Sequence, residues 1–379
     1  MEREKLLNQF RYGYVLFEGT KQVKALYQFC RKNMEQLCHD INYSYQNLIE
    51  NTKEIQNKKA ERKIYYINFS ILRTRYLQRD GRVRISAYDE RFYLDSEANW
   101  AEWDASILFQ YIWDLEDNLV QDLAEFKGIL TQNDLKNMML CEYVPYLIQC
   151  VTEIIRYGIR KEYLYGHQDL LVDKDFNINV GEYKGSFDEV YISEQLSDDH
   201  SKVIELLENY KDSHAQFYSR KYENMILTNR QVKRINFTKS SFYKIDMSDS
   251  NLEESYLLKT SFHDCILKNV SWKNGLLFDT DFSGSDLSGG DFTNSMASIT
   301  EPGIFNRNIF SLIGVDFSNT NLTKTDFSRA NFSGADFRNA MFDQTVFTGA
   351  RLHGSKFLQR DLPSLGLTLN QLEVIQICN

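Results

Sequence analysis

Thr325 to Phe357 reads TDFSRANFSGADFRNAMFDQTVFTGARLHGSKF, and Phe327, Phe332, Phe337, Phe342, Phe347, Leu352 and Phe357 recur in it five residues apart. A period of five fits neither regular element. On a helix, at about 100° per residue, members of the series would fall roughly 140° apart and smear around the cylinder. In a flat strand, alternate members would stand on opposite faces. What remains is a chain that turns a corner once in every five residues, always in the same sense, and offers each central side chain to a common axis.

The register extends well beyond this stretch. It runs back through Leu322, Phe317 and Leu312 and forward to Leu362. Upstream it holds Leu227, Val232, Phe237, Phe242, Met247, Leu252, Leu257, Phe262, Leu267, Trp272, Leu277, Phe282, Leu287 and Phe292. The three positions that fail, Ala297, Pro302 and Arg307, are contiguous. Two residues before each centre the side chain is usually small, as at Ser240, Thr260, Cys265, Ala330 and Ala335, and is expected to face inward as well. Immediately before the centre stands Asp or Asn, as at Asn236, Asp246, Asp281, Asp316 and Asp336, types that bond their own backbone in turns.

This pattern resembles that of the pentapeptide-repeat family, A-[DN]-L-x-x, with Ala335-Asp336-Phe337 and Ala330-Asn331-Phe332 as close copies. The resemblance covers Leu227 to Leu362 and implies a right-handed quadrilateral β-helix with four pentapeptides to a coil. Counted across the break, the register makes seven coils, a rod roughly 34 Å long at the ordinary strand spacing. Pro363 stops the ladder, and Thr368-Leu369-Asn370-Gln371 has capping-box form ahead of Leu372 and Ile375, so Thr368 to Cys378 is expected to be a capping helix. In family members that bind topoisomerase, a C-terminal helix joins two rods, so the resemblance also allows a homodimer. The block from Asn294 to Phe310 reads either as a degenerate coil or as a loop bulging from the rod; in the second case Glu301, Pro302, Phe305 and Arg307 become candidate partner contacts.

The first 224 residues show no repeat. Apolar residues at helical spacing predict one long helix from Thr20 to Lys58, and further helices over Ala101–Phe126, Asn133–Arg160 with a break at Pro145, and Asp198–Phe217. Between Lys63 and Leu94 the chain is β-branched and aromatic, with Asp80-Gly81 as a two-residue hairpin turn in a small antiparallel sheet. FNINVGEYKGSFDEVYI suggests a second strand pair. The expected fold is therefore a mostly helical α+β domain over 1–224, a β-helix over 225–365 and a cap over 366–379.

Chemistry is hard to find. The chain has no phosphate-binding glycine loop, no H-E-x-x-H and no paired C-x-x-C, so no cofactor or metal is expected. In Cys38-His39-Asp40, neighbouring side chains on a helix point about 100° apart and do not face one another. Asp89, Glu90, Asp95, Glu97, Glu102 and Asp104 surround Trp100-x-x-Trp103, either as a solvated face or as a docking site for a basic partner, with Trp100 and Trp103 as its candidate contacts. The charged start and the lack of an apolar run of about 18 residues predict a cytoplasmic protein without membrane contact.

The net charge of −9 sits mostly in the first 224 residues; from Met225 on, 15 Lys and Arg face 16 Asp and Glu. An acidic chain without a basic tract is not expected to grip nucleic acid directly. The expected function is a non-catalytic interaction or scaffold protein with a protein partner. One alternative follows from the resemblance: a mimic of B-form DNA that occupies the DNA site of gyrase or topoisomerase IV. A rod of net charge −1 argues against it unless Asp281, Asp286 and Asp291 gather on one side. The other alternative is an unrecognised enzyme within 1–224.

Overall fold

The computed structural model describes residues 2–59, 61–126, 128–192, 200–209, 217–299 and 311–379. The chain divides between Ser193 and Glu194 into two compact units. The sequence placed the division at 224. It lies earlier because Val203, Leu207, Phe217 and Tyr222 bury their side chains in the core of the second unit.

The first unit opens with α1 (Glu2–Phe10) and a π-helical turn that leads into α2 (Leu16–Lys32) and α3 (Met34–Lys58). The single helix predicted over Thr20–Lys58 is thus two, interrupted at Asn33, whose side-chain amide donates to the Phe29 carbonyl at 2.8 Å. The buried stripe nonetheless continues from Leu26 and Cys30 to Leu37, Ile41 and Tyr45. Next come β1 (Ile64–Ile71), α4 (Arg73–Leu77), β2 (Arg82–Tyr88) and β3 (Asn99–Asp104). Helix α4 occupies the link predicted as a two-residue hairpin turn. Gly81 serves close approach instead: a Cβ there would lie 2.5 Å from the Cα of Ser106.

Ser106–Leu123 forms α5, so only the beginning of the predicted 101–126 helix is in fact strand. Helix α6 (Gln132–Met138) passes through a π-helical turn into α7 (Val144–Arg160). Pro145 lies in the first turn of α7, where its missing N–H has no intrahelical acceptor to lose. By length and composition the run Gln132–Arg160 could cross a membrane, which the sequence reading overlooked; 72% of its apolar window is buried within the protein.

Strands β4 (Val172–Glu182) and β5 (Phe187–Ile192) complete a five-stranded sheet of order β3-β2-β1-β4-β5. It is mixed rather than antiparallel, because β1 and β4 run parallel. Helix α3 packs on β2 and β3, and α7 on β4 and β5. Ile67, Phe69, Val83, Ile85, Ile178 and Val180 are buried. By strand alternation, the intervening Asn68, Ser70, Ser86 and Asn179 belong to the opposite face.

His167 is buried against the rings of Tyr45, Phe176 and Tyr191, and neither ring nitrogen has a hydrogen-bond partner. Burial pushes its pKa down to about 4. Because the folded value lies below the unfolded one of about 6.5, the unfolded chain binds more protons between them. Stability is full above pH 6.5 and falls on acidification towards pH 4, by about 3 kcal/mol. Urea melts of the full chain at pH 7 and pH 4.5 should show this loss, and His167→Phe should flatten it.

In the second unit, α8 (His200–Glu208) precedes a column built from parallel bridges twenty residues apart. Four ladders are occupied in turn as the chain advances by fives. The first runs through Lys221, Ser241, Ser261, Asp281, Asp316, Asp336, Lys356 and Gln376. Short strands β6 (Lys221–Glu223), β7 (Ser241–Tyr243), β8 (Ser261–His263) and β9 (Lys356–Leu358) lie on this ladder. Eight rungs span about 34 Å.

That length matches the expectation for a different reason. From Asp281 the ladder passes to Asp316, thirty-five residues on, and the other three ladders make the same jump. The jump exceeds the usual step by fifteen residues, a multiple of five, so Leu312 keeps the five-residue phase without being a bridged position. In compensation, Phe217 and Tyr222 extend the column at its start and Gln376 at its end. Ala297 does occupy a central position and is fully buried, donating its N–H to the Asn331 carbonyl, so the coil continues through Ile299.

Each corner has one local design. The third residue after the centre donates its N–H back to the centre's carbonyl, as from Ser240 to Phe237 and from Ala335 to Phe332. The residue between, two after the centre, has positive φ at nearly every corner: Asn229, Lys239, Asp249, Asn319 and Gly334 are examples. This is the third position of a type II turn. The Asp or Asn before the centre accepts the N–H of the residue after it, as Asp281 does from Ser283 and Asp316 from Ser318. Inward hydroxyls bond the carbonyl of the coil before: Ser240 to Phe217, Thr260 to Phe237 and Ser355 to Phe332.

Central aromatic rings stack along the axis. Tyr222, Phe242, Phe262, Phe282, Phe317, Phe337 and Phe357 form one file, with centroids 4.6–5.4 Å apart and ring planes within 13°. Phe237, Leu252, Trp272, Leu287, Phe292, Leu322, Phe327, Phe332, Phe347 and Leu352 are also buried. Phe342 is only half-buried, because Leu362, its expected neighbour in the next coil, belongs instead to a 3₁₀ turn containing Pro363.

The end cap departs from expectation. Thr368 does make the capping box with Gln371, but the helix α9 is only Leu369–Leu372, and Leu369 is 78% exposed. The cover is instead a further parallel strand, β10 (Gln376–Cys378), on β9. The Gln371 amide closes the last coil by donating to the carbonyls of Phe347 and Ala350, both at 2.9 Å.

Candidate partner-binding surfaces

Three positions of each pentapeptide face outward, and the ladders show what they present. The carboxylates before the centres are largely committed. Besides accepting turn N–H groups, Asp286 pairs with Lys268 at 3.4 Å, Asp291 with Lys273 at 2.9 Å and Asp336 with Arg338 at 2.6 Å. Burial would raise the carboxyls of Asp286 and Asp291, but bonds from Ser288 and Thr293 and the lysine charges outweigh it and hold both below the usual range. Glu253 and Glu254 pair with Lys233 and Arg234 on the coil beneath. Asp281, Asp286 and Asp291 stand on three successive ladders, not on one side, and Asp281 is fully buried.

One ladder differs in kind. In Asn236, Tyr256, Leu276, Met296, Asn331 and Arg351, three consecutive rungs are apolar. Tyr256 is 42% and Met296 47% exposed, with Leu276 between them half-buried. Side chains on adjacent rungs are neighbours, so the three form one stripe. Nothing in the repeat requires it, since Asp or Asn serves the same position elsewhere. The sequence reading missed it because the stripe emerges only when residues twenty apart are aligned.

Of the contacts named from sequence, Glu301, Pro302, Phe305 and Arg307 lie outside the described residues. Trp100 is 51% exposed and carries the Arg84 guanidinium over its ring at 5.1 Å. Trp103 is buried and cannot be a contact: three residues apart on one strand, the two tryptophans point to opposite faces.

The acidic patch around them is an ion-pair network. Asp95, with no side-chain exposure, receives Arg62 at 2.6 and 3.2 Å. Arg91 and Arg62 also meet Asp89, and Lys59 meets Glu97. Arg75 and Arg82 share Glu102. A basic partner would find these carboxylates already occupied. The cleft beside them, about 610 Å³, is lined by charges of both signs, including Lys63, Arg91, Glu61 and Glu90.

Other candidates are structural. Burial pushes the Cys38 thiol up to about 12, and its sulfur bonds the Ile154 carbonyl. All six cysteines are free. Of Asp198-Asp199-His200, the two aspartates lie outside the described residues and His200 opens α8. Among the described residues no group of three His, Cys, Asp or Glu is placed to hold a metal.

Comparison with known proteins agrees with the repeat geometry. The family model for pentapeptide repeats matches residues 311–349 and 326–357. No curated protein sequence matches the chain. Among solved structures, a trypsin-treated form of QnrB1, a plasmid-mediated fluoroquinolone resistance protein, is similar at 17% identity over 44% of this chain and 87% of its own, with a TM-score of 0.33. A pentapeptide repeat protein from the thylakoid lumen of Arabidopsis thaliana is 25% identical over 33% of this chain and 70% of its own, at TM-score 0.21. HetL, a pentapeptide repeat protein involved in heterocyst differentiation regulation in the cyanobacterium Nostoc sp. strain PCC 7120, is 14% identical over 40% of this chain and 94% of its own, at TM-score 0.12.

Proposed function

We propose, for a chain whose residues 311–357 are pentapeptide repeats, that it is a non-catalytic protein-interaction protein whose column offers a rigid face to a protein partner. The column would be the right-handed, four-sided β-helix of that family; four ladders in each twenty-residue turn support the four sides. One observation carries the function: the Tyr256–Leu276–Met296 stripe, largely apolar and partly exposed where the fold asks only for a turn residue. An apolar strip rimmed by charge and set on a scaffold that cannot collapse around it is the usual form of a protein contact.

The DNA-mimic alternative draws less support, because several acids of the column are paired with Lys or Arg and the two signs of charge are nearly equal in number from Met225 on. No distinct observation favours an enzyme in residues 1–224. The test is a crosslinking pull-down with the full chain and with Tyr256→Ser/Met296→Ser, two outward changes expected to alter stability by less than about 0.5 kcal/mol each. Loss of one specific partner from the double variant, with its melting temperature kept, is the expected result. Unchanged capture would refute the stripe. Inhibition of gyrase supercoiling, or its protection from a quinolone, at micromolar protein would replace this function with the mimic.

A further inference from the structure

The face of the five-stranded sheet opposite α3 carries a buried block of polar side chains, three of which the fold leaves unsatisfied. Asn68 and Ser86 are cross-strand partners, as are Ser70 and Arg84 in the adjoining row. Such pairs stand about 5 Å apart, so the four form one contiguous block. Asn68, Ser70 and Ser86 are at most 1% exposed. The Asn68 amide nitrogen, the Ser70 hydroxyl and the Arg84 Nε are buried without a hydrogen-bond partner. The Asn68 carbonyl oxygen is already taken by Asn179, which leaves its amide as a donor. The Ser86 hydroxyl, by contrast, is engaged by the Tyr88 hydroxyl two residues on. Buried polar groups without partners are few in a folded protein, so three in one block call for an explanation.

Arg84 is the second observation. Among the described residues it makes no ion pair, although Arg62, Arg75, Arg79, Arg82 and Arg91 around it are all paired. Glu102, directly across the strand from Arg84, is held by Arg75 and Arg82 instead. The Arg84 guanidinium lies over Trp100 at 5.1 Å and Tyr183 at 6.0 Å, and the Lys184 ammonium lies 5.7 Å from the same tyrosine ring. Two cations thus approach one aromatic ring.

Asn68, Ser70 and Arg84 can donate and one of them is cationic, which is the donor set of an oxyanion site. We propose that this face binds the oxyanion of a small acid, a carboxylate or a phosphate, with Arg84 as the charge, Ser70 and Asn68 as neutral donors, and Trp100 and Tyr183 as the rim. The site belongs to the first unit and does not depend on the function assigned to the column.

Thermal melts of the full chain at constant ionic strength, with sodium chloride exchanged for sodium phosphate or for sodium benzoate, test it. The expected result is a saturable rise in melting temperature with one of the two anions, and which anion succeeds identifies the source of the oxyanion. Arg84→Gln should weaken that anion at least about tenfold, the loss of one charge-assisted contact. Ser70→Ala should also weaken it while leaving the ligand-free chain as stable or more so, because it removes an unmet hydroxyl. A melting temperature that neither anion moves, or a rise that Arg84→Gln leaves intact, overturns the proposal.

Discussion

Phe317→Asp is expected to prevent the second unit from reaching its native state. Phe317 stacks between Phe282 at 5.4 Å and Phe337 at 5.1 Å, and it meets Phe292, Phe327 and Phe332 edge-on. Removing such a ring from a packed interior costs about 3–5 kcal/mol. The new carboxylate would sit among rings with no donor to meet it, adding several kcal/mol more, whether it stays charged or takes up a proton. The sum reaches the whole stability of an ordinary domain, about 5–15 kcal/mol. Because each coil is held chiefly by its neighbours, the damage should be greatest where it is made. Hydrogen exchange should show amide protection lost from residues 311–357 while β1 and β4 in the first unit keep theirs. Ser318→Asp, one residue on and facing outward, should fall within about 0.5 kcal/mol of the parent. If Phe317→Asp kept protection across those residues, the filled column would be wrong.

The contrast between these neighbouring positions explains why the column could be read from sequence and the first unit could not. A repeat states the same structural decision some two dozen times, so errors at Ala297 or Leu312 are outvoted. The register alone could not tell that Ala297 fills a rung and Leu312 does not, because the step between bridged residues lengthens there by fifteen, a multiple of five that leaves the phase untouched. At the ends the pattern lost its votes: Tyr222 was in phase but follows Arg220 and Lys221 in place of the small and Asx residues, and Phe217 follows Gln216 in place of Asx. In the first unit every element is stated once. Helical spacing found the stripe from Leu26 to Tyr45, which lies on one core, but not the interruption at Asn33, which is a local hydrogen bond. Asp80-Gly81 looked like a turn because the pair suits turns. The three-dimensional reason for its glycine, the close approach of Ser106, cannot be seen from the chain. The candidate surfaces were hidden for the same reason, since both the apolar stripe and the donor block on the sheet join residues that only pairing brings together.

The acidic patch shows the opposite error, in which residues conspicuous in sequence are inward-looking in the fold, and Arg62→Ala should expose it. Arg62 is 7% exposed and Asp95 not at all. Burial alone would raise the Asp95 carboxyl; the guanidinium, with the N–H groups of Asp89 and Glu97, outweighs it and holds the group below the ordinary carboxylate range. Remove Arg62 and the backbone bonds remain, but the buried charge is left with only the half-exposed Arg91, at 3.5 Å, as its counterion. Breaking a buried pair from one side costs about 3–5 kcal/mol. Arg62→Ala/Asp95→Asn, which removes both charges, should recover much of that loss, and the difference from additivity measures the coupling. The pH dependence carries a definite sign. Because the folded pKa of Asp95 is depressed, its contribution is present above the unfolded value of about 3.9 and is lost as the pH falls through the folded one. In Arg62→Ala burial prevails, the folded pKa moves up, and the loss should begin at higher pH than in the parent. Urea melts of the three chains at pH 7 and pH 5 decide the matter: an Arg62→Ala chain within 1 kcal/mol of the parent at both would mean that the patch is solvated after all.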